Sequence, residues 1–242
     1  EDRDQLISTM LSEEGPLDAI VNVGASLKGC EDSLSLASRY DRVYAAVGVH
    51  PEEVESLNPD KLKWIEDMAV SDKKVLAIGE IGLDYHYPEP GKDIQKYWFR
   101  QQLSIARKIN KPVIIHSREA CADTLECMRQ EHAQDFGGII HCYSYTKEAA
   151  RDYLNMGFYF GIGGVVTFKN AKKLVEAVEF IPMDRILLET DCPYMAPEPH
   201  RGTRNDSRNI VYVAEKIAQI KGITAQEVID ITNNNARVLF EL

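Results

Sequence analysis

The sequence predicts an α/β fold, a TIM-type (β/α)₈ barrel whose first strand is missing from the chain, and three observations predict it. Short apolar runs alternate with helical stripes from end to end. Four of the runs finish on a residue able to bind metal: Glu80, His116, His141 and Asp191. These four fall about one β/α unit apart, save for a double gap between His141 and Asp191 that holds another apolar run. Runs of roughly four to eight apolar residues between turn signals read as parallel strands buried on both faces. Catalytic groups in β/α folds gather at the carboxyl ends of such strands, so one rim would collect all four.

The elements follow in order. The chain opens with a helical segment, Asp2 to Glu14, that has no strand before it. Strands are expected at Asp18 to Val23, Arg42 to Val47, Val75 to Gly79, Pro112 to Ile115, Gly138 to Ile140, Phe158 to Ile162 and Arg185 to Leu188. Between them Phe99, Leu103, Ala106 and Ile109 mark one face of a helix, as do Ile210, Val213, Ala214, Ile217 and Ala218 in a later one. Seven units are one short of a closed barrel. A barrel without its first strand would expose two sheet edges and its own core, so a short native segment is expected to precede Glu1. The Pro-rich stretch Ala196 to His200 reads as a rigid loop on the same rim as Asp191.

At 242 residues the chain is of ordinary length for one such barrel, and residues 1–242 are read as a single domain. The net charge of −10 excludes a protein that coats nucleic acid by bulk attraction, so a polyanionic substrate would have to meet local positive charge or metal. Five cysteines without a CxxC pair read as reduced thiols. With no signal peptide and no apolar stretch of membrane-spanning length, a cytoplasmic location is expected, with no membrane contact and no obligate protein partner.

Carboxylate oxygens combined with imidazole nitrogens suit a hard or borderline divalent ion, which makes Mg²⁺, Mn²⁺ or Zn²⁺ the expected metals. Any one of these residues alone would be an ordinary loop or capping residue, but four of ligand type on four strand ends form a set. Asp191 is expected to act as ligand and general base. Arg118, and Arg201 with His200, are expected to bind phosphate, and Tyr143 to stack on a terminal base. His50 ends a further strand before Pro51 and is read as a substrate residue, whereas His86, Cys142 and Cys192 are set aside as ligands.

The motifs Gly48-Val-His50-Pro, Gly79-Glu80-Ile-Gly-Leu-Asp84-Tyr, Ile115-His116-Ser-Arg118, His141-Cys-Tyr143-Ser144, Glu189-Thr-Asp191-Cys-Pro-Tyr194 and Pro199-His200-Arg201-Gly occur in one order across nearly the whole chain. In that order the sequence resembles the TatD family of metal-dependent deoxyribonucleases, a branch of the amidohydrolase-like barrels. The resemblance implies metal-assisted hydrolysis of DNA phosphodiester bonds, here a 3′–5′ exonuclease on single-stranded ends, with two divalent ions. It implies that Glu80 bridges the two ions, that His116 and His141 complete one site and Asp191 serves the other, and that Asp191 and Glu80 are catalytic. The family also carries an HxH pair at the end of its first strand, and this chain has none. Two rival readings follow from the same ligands: a metal-dependent hydrolase of a small ester, amide or lactone, and a barrel that binds metal without turnover.

Overall fold

In the computed structural model, which describes residues 2–242, the apolar runs become seven parallel strands in one sheet, ordered as they occur in the chain. They are β1 (Ile20–Val23), β2 (Val43–Val47), β3 (Val75–Asp84), β4 (Val113–Arg118), β5 (Gly138–Ile140), β6 (Tyr159–Ile162) and β7 (Ile186–Leu188). Every expected strand is present. The largest departure is β3, which runs on beyond Gly79 to Asp84.

Helices α2 (Leu27–Arg39), α3 (Pro59–Ser71), α4 (Lys92–Ile109), α5 (Cys121–Gln130), α6 (Lys147–Asn155) and α7 (Lys172–Phe180) form the successive crossovers, and α8 (Ile210–Lys221) and α9 (Ala225–Phe240) follow β7. The opening helix α1 (Arg3–Met10) is shorter than expected, because the chain turns before Gly15-Pro16. Strands β1 and β7 each have a single hydrogen-bonded neighbour among the described residues, so the curled sheet is open between them. This is the α/β architecture of a TIM-type barrel one strand short of closure.

Why these runs read as continuous apolar stretches is visible in the packing. Ala46, Ala77, Ile114, Ile139, Tyr159 and Leu187, one from each strand β2 to β7, form a buried cluster of their own. Their chain neighbours Val47, Ile78, Ile115, Ile140, Phe160 and Ile186 belong to a second, larger cluster that includes the apolar stripes of the helices. Successive side chains on a strand point to opposite faces, so both faces are buried and neither tolerates polar residues until the strand ends.

Two glutamines on the inner stripe of α4 fix the rim. Gln95 accepts from the Asp84 amide at 2.9 Å and donates to the carbonyls of Asp84 and Pro90 at 2.8 and 2.7 Å. Two turns further on, Gln102 accepts from the Val49 amide at 2.8 Å and donates to the Val49 carbonyl at 3.1 Å. Each amide satisfies the donor and acceptor of a strand-end residue that has run out of sheet partners.

Candidate metal centre

Strand parity explains why distant residues converge. His116 lies two residues beyond Ile114, His141 two beyond Ile139, and Glu189 two beyond Leu187, so each continues the interior row of its own strand past the last apolar layer. Glu80 is three beyond Ala77 and should face outward, but the β3–β4 register shifts between Ile78 and Ile81. That one-residue bulge rotates Glu80 back into the row, the usual effect of an inserted residue. Beyond the bulge Gly82 has φ +151°, and a Cβ there would meet the His116 carbonyl oxygen at 1.9 Å, so no other residue fits between the two strands.

Glu80 is the hub. Its Oε1 lies 2.9 Å from His116 Nδ1, 3.8 Å from His50 Nε2 and 3.9 Å from His141 Nε2. Asp191 enters from the far side, with Oδ1 3.5 Å from His141 Nε2. Asp191 sits at φ +52°, a left-handed conformation that aspartate tolerates better than most residues. The four expected ligands therefore occupy one cluster, and His50 joins them. Donor atoms of His50, Glu80 and His116 all lie within 4.8 Å of one another. Half-buried carboxylate oxygens and imidazole nitrogens at this spacing, those of Glu80 and His116 foremost, fit a divalent cation.

Two carboxylates without an assigned role in the sequence reading orient the histidines. Asp84, 2% exposed, lies with Oδ2 2.9 Å from His116 Nε2, and its Oδ1 accepts from the His86 amide at 2.9 Å. Glu189 Oε2 lies 2.9 Å from His141 Nδ1, and its Oε1 accepts from the Cys142 amide at 2.7 Å. The two rings thus turn opposite nitrogens to the centre, Nδ1 for His116 and Nε2 for His141, each backed by a carboxylate on the other nitrogen. Gly161 leaves room for Glu189: a Cβ there would lie 2.0 Å from Glu189 Oε2.

The electrostatics follow from this enclosure. Burial works against charge on His116, but the hydrogen bonds it donates to Asp84 and Glu80 outweigh it and raise its pKa to about 9. His141 is likewise buried and is raised by Glu189 and Glu80. Burial opposes the charge of Glu80 too, yet His141 and His116 hold it down at about 2. His50 goes the other way: burial and the neighbouring His116 lower it to about 4. Its Nδ1 accepts from the Glu52 amide at 3.3 Å, which leaves the proton of the neutral ring on Nε2, facing Glu80.

The other expected substrate residues separate into two groups. Arg118 is exposed at the rim, with Nη1 4.0 Å from Asp84 Oδ2, and Arg201 is exposed in the loop after Asp191, its guanidinium 4.2 Å from the Phe168 ring centre. His200 Nε2 pairs with the Tyr212 hydroxyl at 3.1 Å. Tyr143 corrects the expectation of base stacking: it is 2% exposed, packed edge-on against Phe160 at 5.0 Å, with its hydroxyl donating to the Thr146 carbonyl at 2.6 Å. The ring fills the core beneath the rim and offers no face to a ligand. His86 lies apart from the cluster, 2.9 Å from Glu119 Oε1.

Fold and cluster together define a β/α barrel whose rim can hold a divalent cation. The family model for TatD-related DNases matches residues 1–241, and the chain belongs to that family. It is 42% identical over 241 residues, 100% of this chain and 93% of the relative, to the uncharacterized metal-dependent hydrolase YabD of Bacillus subtilis strain 168. It is 40% identical over 222 residues, 91% of this chain and 82% of the relative, to the uncharacterized metal-dependent hydrolase YcfH of Escherichia coli K12. Among solved structures, YJJV, the TatD homolog from Escherichia coli K12, superposes with a TM-score of 0.92 at 26% identity over 100% of this chain and 92% of that one.

Proposed function

We propose that this enzyme hydrolyses phosphodiester bonds of DNA, removing nucleotides 3′–5′ from single-stranded ends, with two divalent ions. The observation that carries the reading is Glu80 Oε1 set among three histidine nitrogens at 2.9, 3.8 and 3.9 Å, beneath a rim with exposed arginines. Glu80, His116 and His141 would hold one ion and Asp191 the other, with Glu80 shared. Bound there, the ions would acidify water and neutralise phosphate oxygens.

The chain's own residues supply the rest. Asp191, 31% exposed in its side chain, is open enough to take a proton from the attacking water and stays within reach of His141. His50 presents Nε2–H to the centre and can donate to a phosphate oxygen without carrying charge. Arg118 and Arg201 grip the flanking phosphates, providing locally the positive charge that a chain of net charge −10 lacks overall. Five free cysteines support a reducing, cytoplasmic setting, and no helix among the described residues is long and apolar enough to cross a membrane.

The test uses 5′-labelled single-stranded oligonucleotides with Mg²⁺ or Mn²⁺, alongside a panel of small esters, amides and lactones. A ladder shortening from the 3′ end is expected, and Glu80→Gln or Asp191→Asn should reduce it by about 10²–10⁴-fold. Undiminished cleavage in both variants, or turnover of small esters alone, overturns the reading.

A further inference from the structure

Next to the loop that carries Arg201 lies a second feature, a basic groove with an aromatic floor. Phe168, Lys169, Lys172 and Lys216 line it together with one carboxylate, Glu176. Arg201 covers the Phe168 ring at 4.2 Å. Four cations thus face a single acid in a chain of net charge −10. Among the described residues none of these four cations lies within 4.0 Å of a carboxylate. Lysines elsewhere on the surface, such as Lys28, Lys63 and Lys108, are paired. Helix α7 begins at Lys172 with no side-chain cap and no acid in its first turn, so its amino end adds positive potential.

The groove's edge is tied to the loop that leaves the centre. The segment Gly164–Thr167 follows β6 at the same carboxyl rim. It is stitched to the loop that leaves Asp191: Thr167 Oγ1 accepts from the Glu198 amide at 2.8 Å, and Gly164 lies so close to Met195 that a Cβ would meet its carbonyl oxygen at 2.1 Å. Arg201 belongs to that loop and Phe168 directly follows that segment, so their stacked pair joins the loop after Asp191 to the groove.

We propose that this groove binds the continuing single strand of a DNA substrate, several nucleotides away from the bond being cut. Lys169, Lys172 and Lys216 would take successive phosphates, and the Phe168–Arg201 pair would provide a flat platform for a base. Spaced cations follow a backbone without reading sequence, and an aromatic–guanidinium stack accepts any base. The proposal rests on the phosphodiesterase reading for its substrate, but it concerns binding and can fail separately.

The experiment measures binding of fluorescein-labelled oligothymidylate by anisotropy, in chelator so that nothing is cut, for the wild type and for the triple variant Lys169→Gln, Lys172→Gln, Lys216→Gln. The expected result is an affinity loss of about tenfold or more at low salt, and a log–log salt dependence shallower by about 2, from three lost contacts at roughly 0.7 each on single strands. A control that removes the same charge elsewhere, Lys28→Gln, Lys63→Gln, Lys108→Gln, should bind as the wild type does. Equal loss in both variants, or none in either, overturns the groove. If wild-type protein binds through these lysines yet never cleaves DNA when metal is restored, the groove stands and the phosphodiesterase reading falls. If it cleaves and the triple variant binds normally, the reverse holds; no binding by the wild type in chelator overturns the groove, while the phosphodiesterase reading stands or falls on cleavage with metal restored.

Discussion

Asp84 and His116 share a 2.9 Å contact between a buried carboxylate oxygen and Nε2, and that contact decides which imidazole nitrogen faces Glu80. Glu189 does the same for His141 with the opposite nitrogen. An amide in either place keeps the shape but can no longer hold the ring's tautomer by charge. Asp84→Asn and Glu189→Gln are each expected to weaken divalent-ion binding by about 10–100-fold, read by competition with a metal-sensitive dye. Unchanged affinity in both would remove these carboxylates from the construction of the centre.

The same contact gives metal binding a pH dependence. With its pKa raised to about 9 by Asp84 and Glu80 against the pull of burial, His116 is an imidazolium at pH 7 in the metal-free protein. A cation has to displace that proton, so affinity should rise with pH and level off above about 9. Stability of the metal-free protein runs the other way. A folded pKa raised above the unfolded value of roughly 6.5 contributes stability that is fully present below 6.5 and lost as pH climbs through about 9. Calorimetry in two buffers of different protonation enthalpy should report about one proton or more released per binding event at pH 7, and less at higher pH. A release that does not change with pH would contradict the assignment.

Much of this was legible in the sequence, for a physical reason. A strand buried on both faces has to be apolar until it ends, so the residue that breaks the run is the residue at the rim, and Glu80, His116, His141 and Asp191 announce themselves that way. What did not show was whatever depends on contact between strands. Asp84 and Glu189 stand inside the motifs, but the sequence gives them no partner; it is the β3 bulge and the space left by Gly161 that bring them behind the histidines. The bulge also hid the true end of β3. Tyr143 shows the converse error, because nearness to a ligand in sequence says nothing about which side of the rim a ring packs on.

Tyr143 therefore carries a stability prediction in place of a binding one. Its hydroxyl donates to the Thr146 carbonyl at 2.6 Å inside the core, and Tyr143→Phe keeps the ring while removing that bond. The expected cost is about 1 kcal/mol in chemical denaturation, with affinity for single-stranded DNA unchanged. A loss of affinity without a loss of stability would restore the stacking role.

Gln102 is fully buried, at 0% exposure, and it is the only side chain among the described residues that hydrogen-bonds the Val49 amide and carbonyl, at 2.8 and 3.1 Å. Val49 precedes His50, so this helix residue sets the height at which His50 stands above the cluster. Gln102→Leu fills a similar volume but leaves a buried donor and a buried acceptor without partners, each worth about 1–3 kcal/mol. The protein should lose about 2–6 kcal/mol of stability by that reasoning, most of it absent from the neighbouring change Gln101→Leu, whose side chain is only half-buried. Catalysis should suffer as well, because a displaced His50 no longer presents Nε2–H to the centre: kcat is expected to fall in Gln102→Leu even at temperatures where the variant is fully folded. Gln102→Leu with wild-type kcat, whatever its melting temperature, would show that His50 is placed by its own contacts, the 2.9 Å bond from its amide to the Ala25 carbonyl being sufficient.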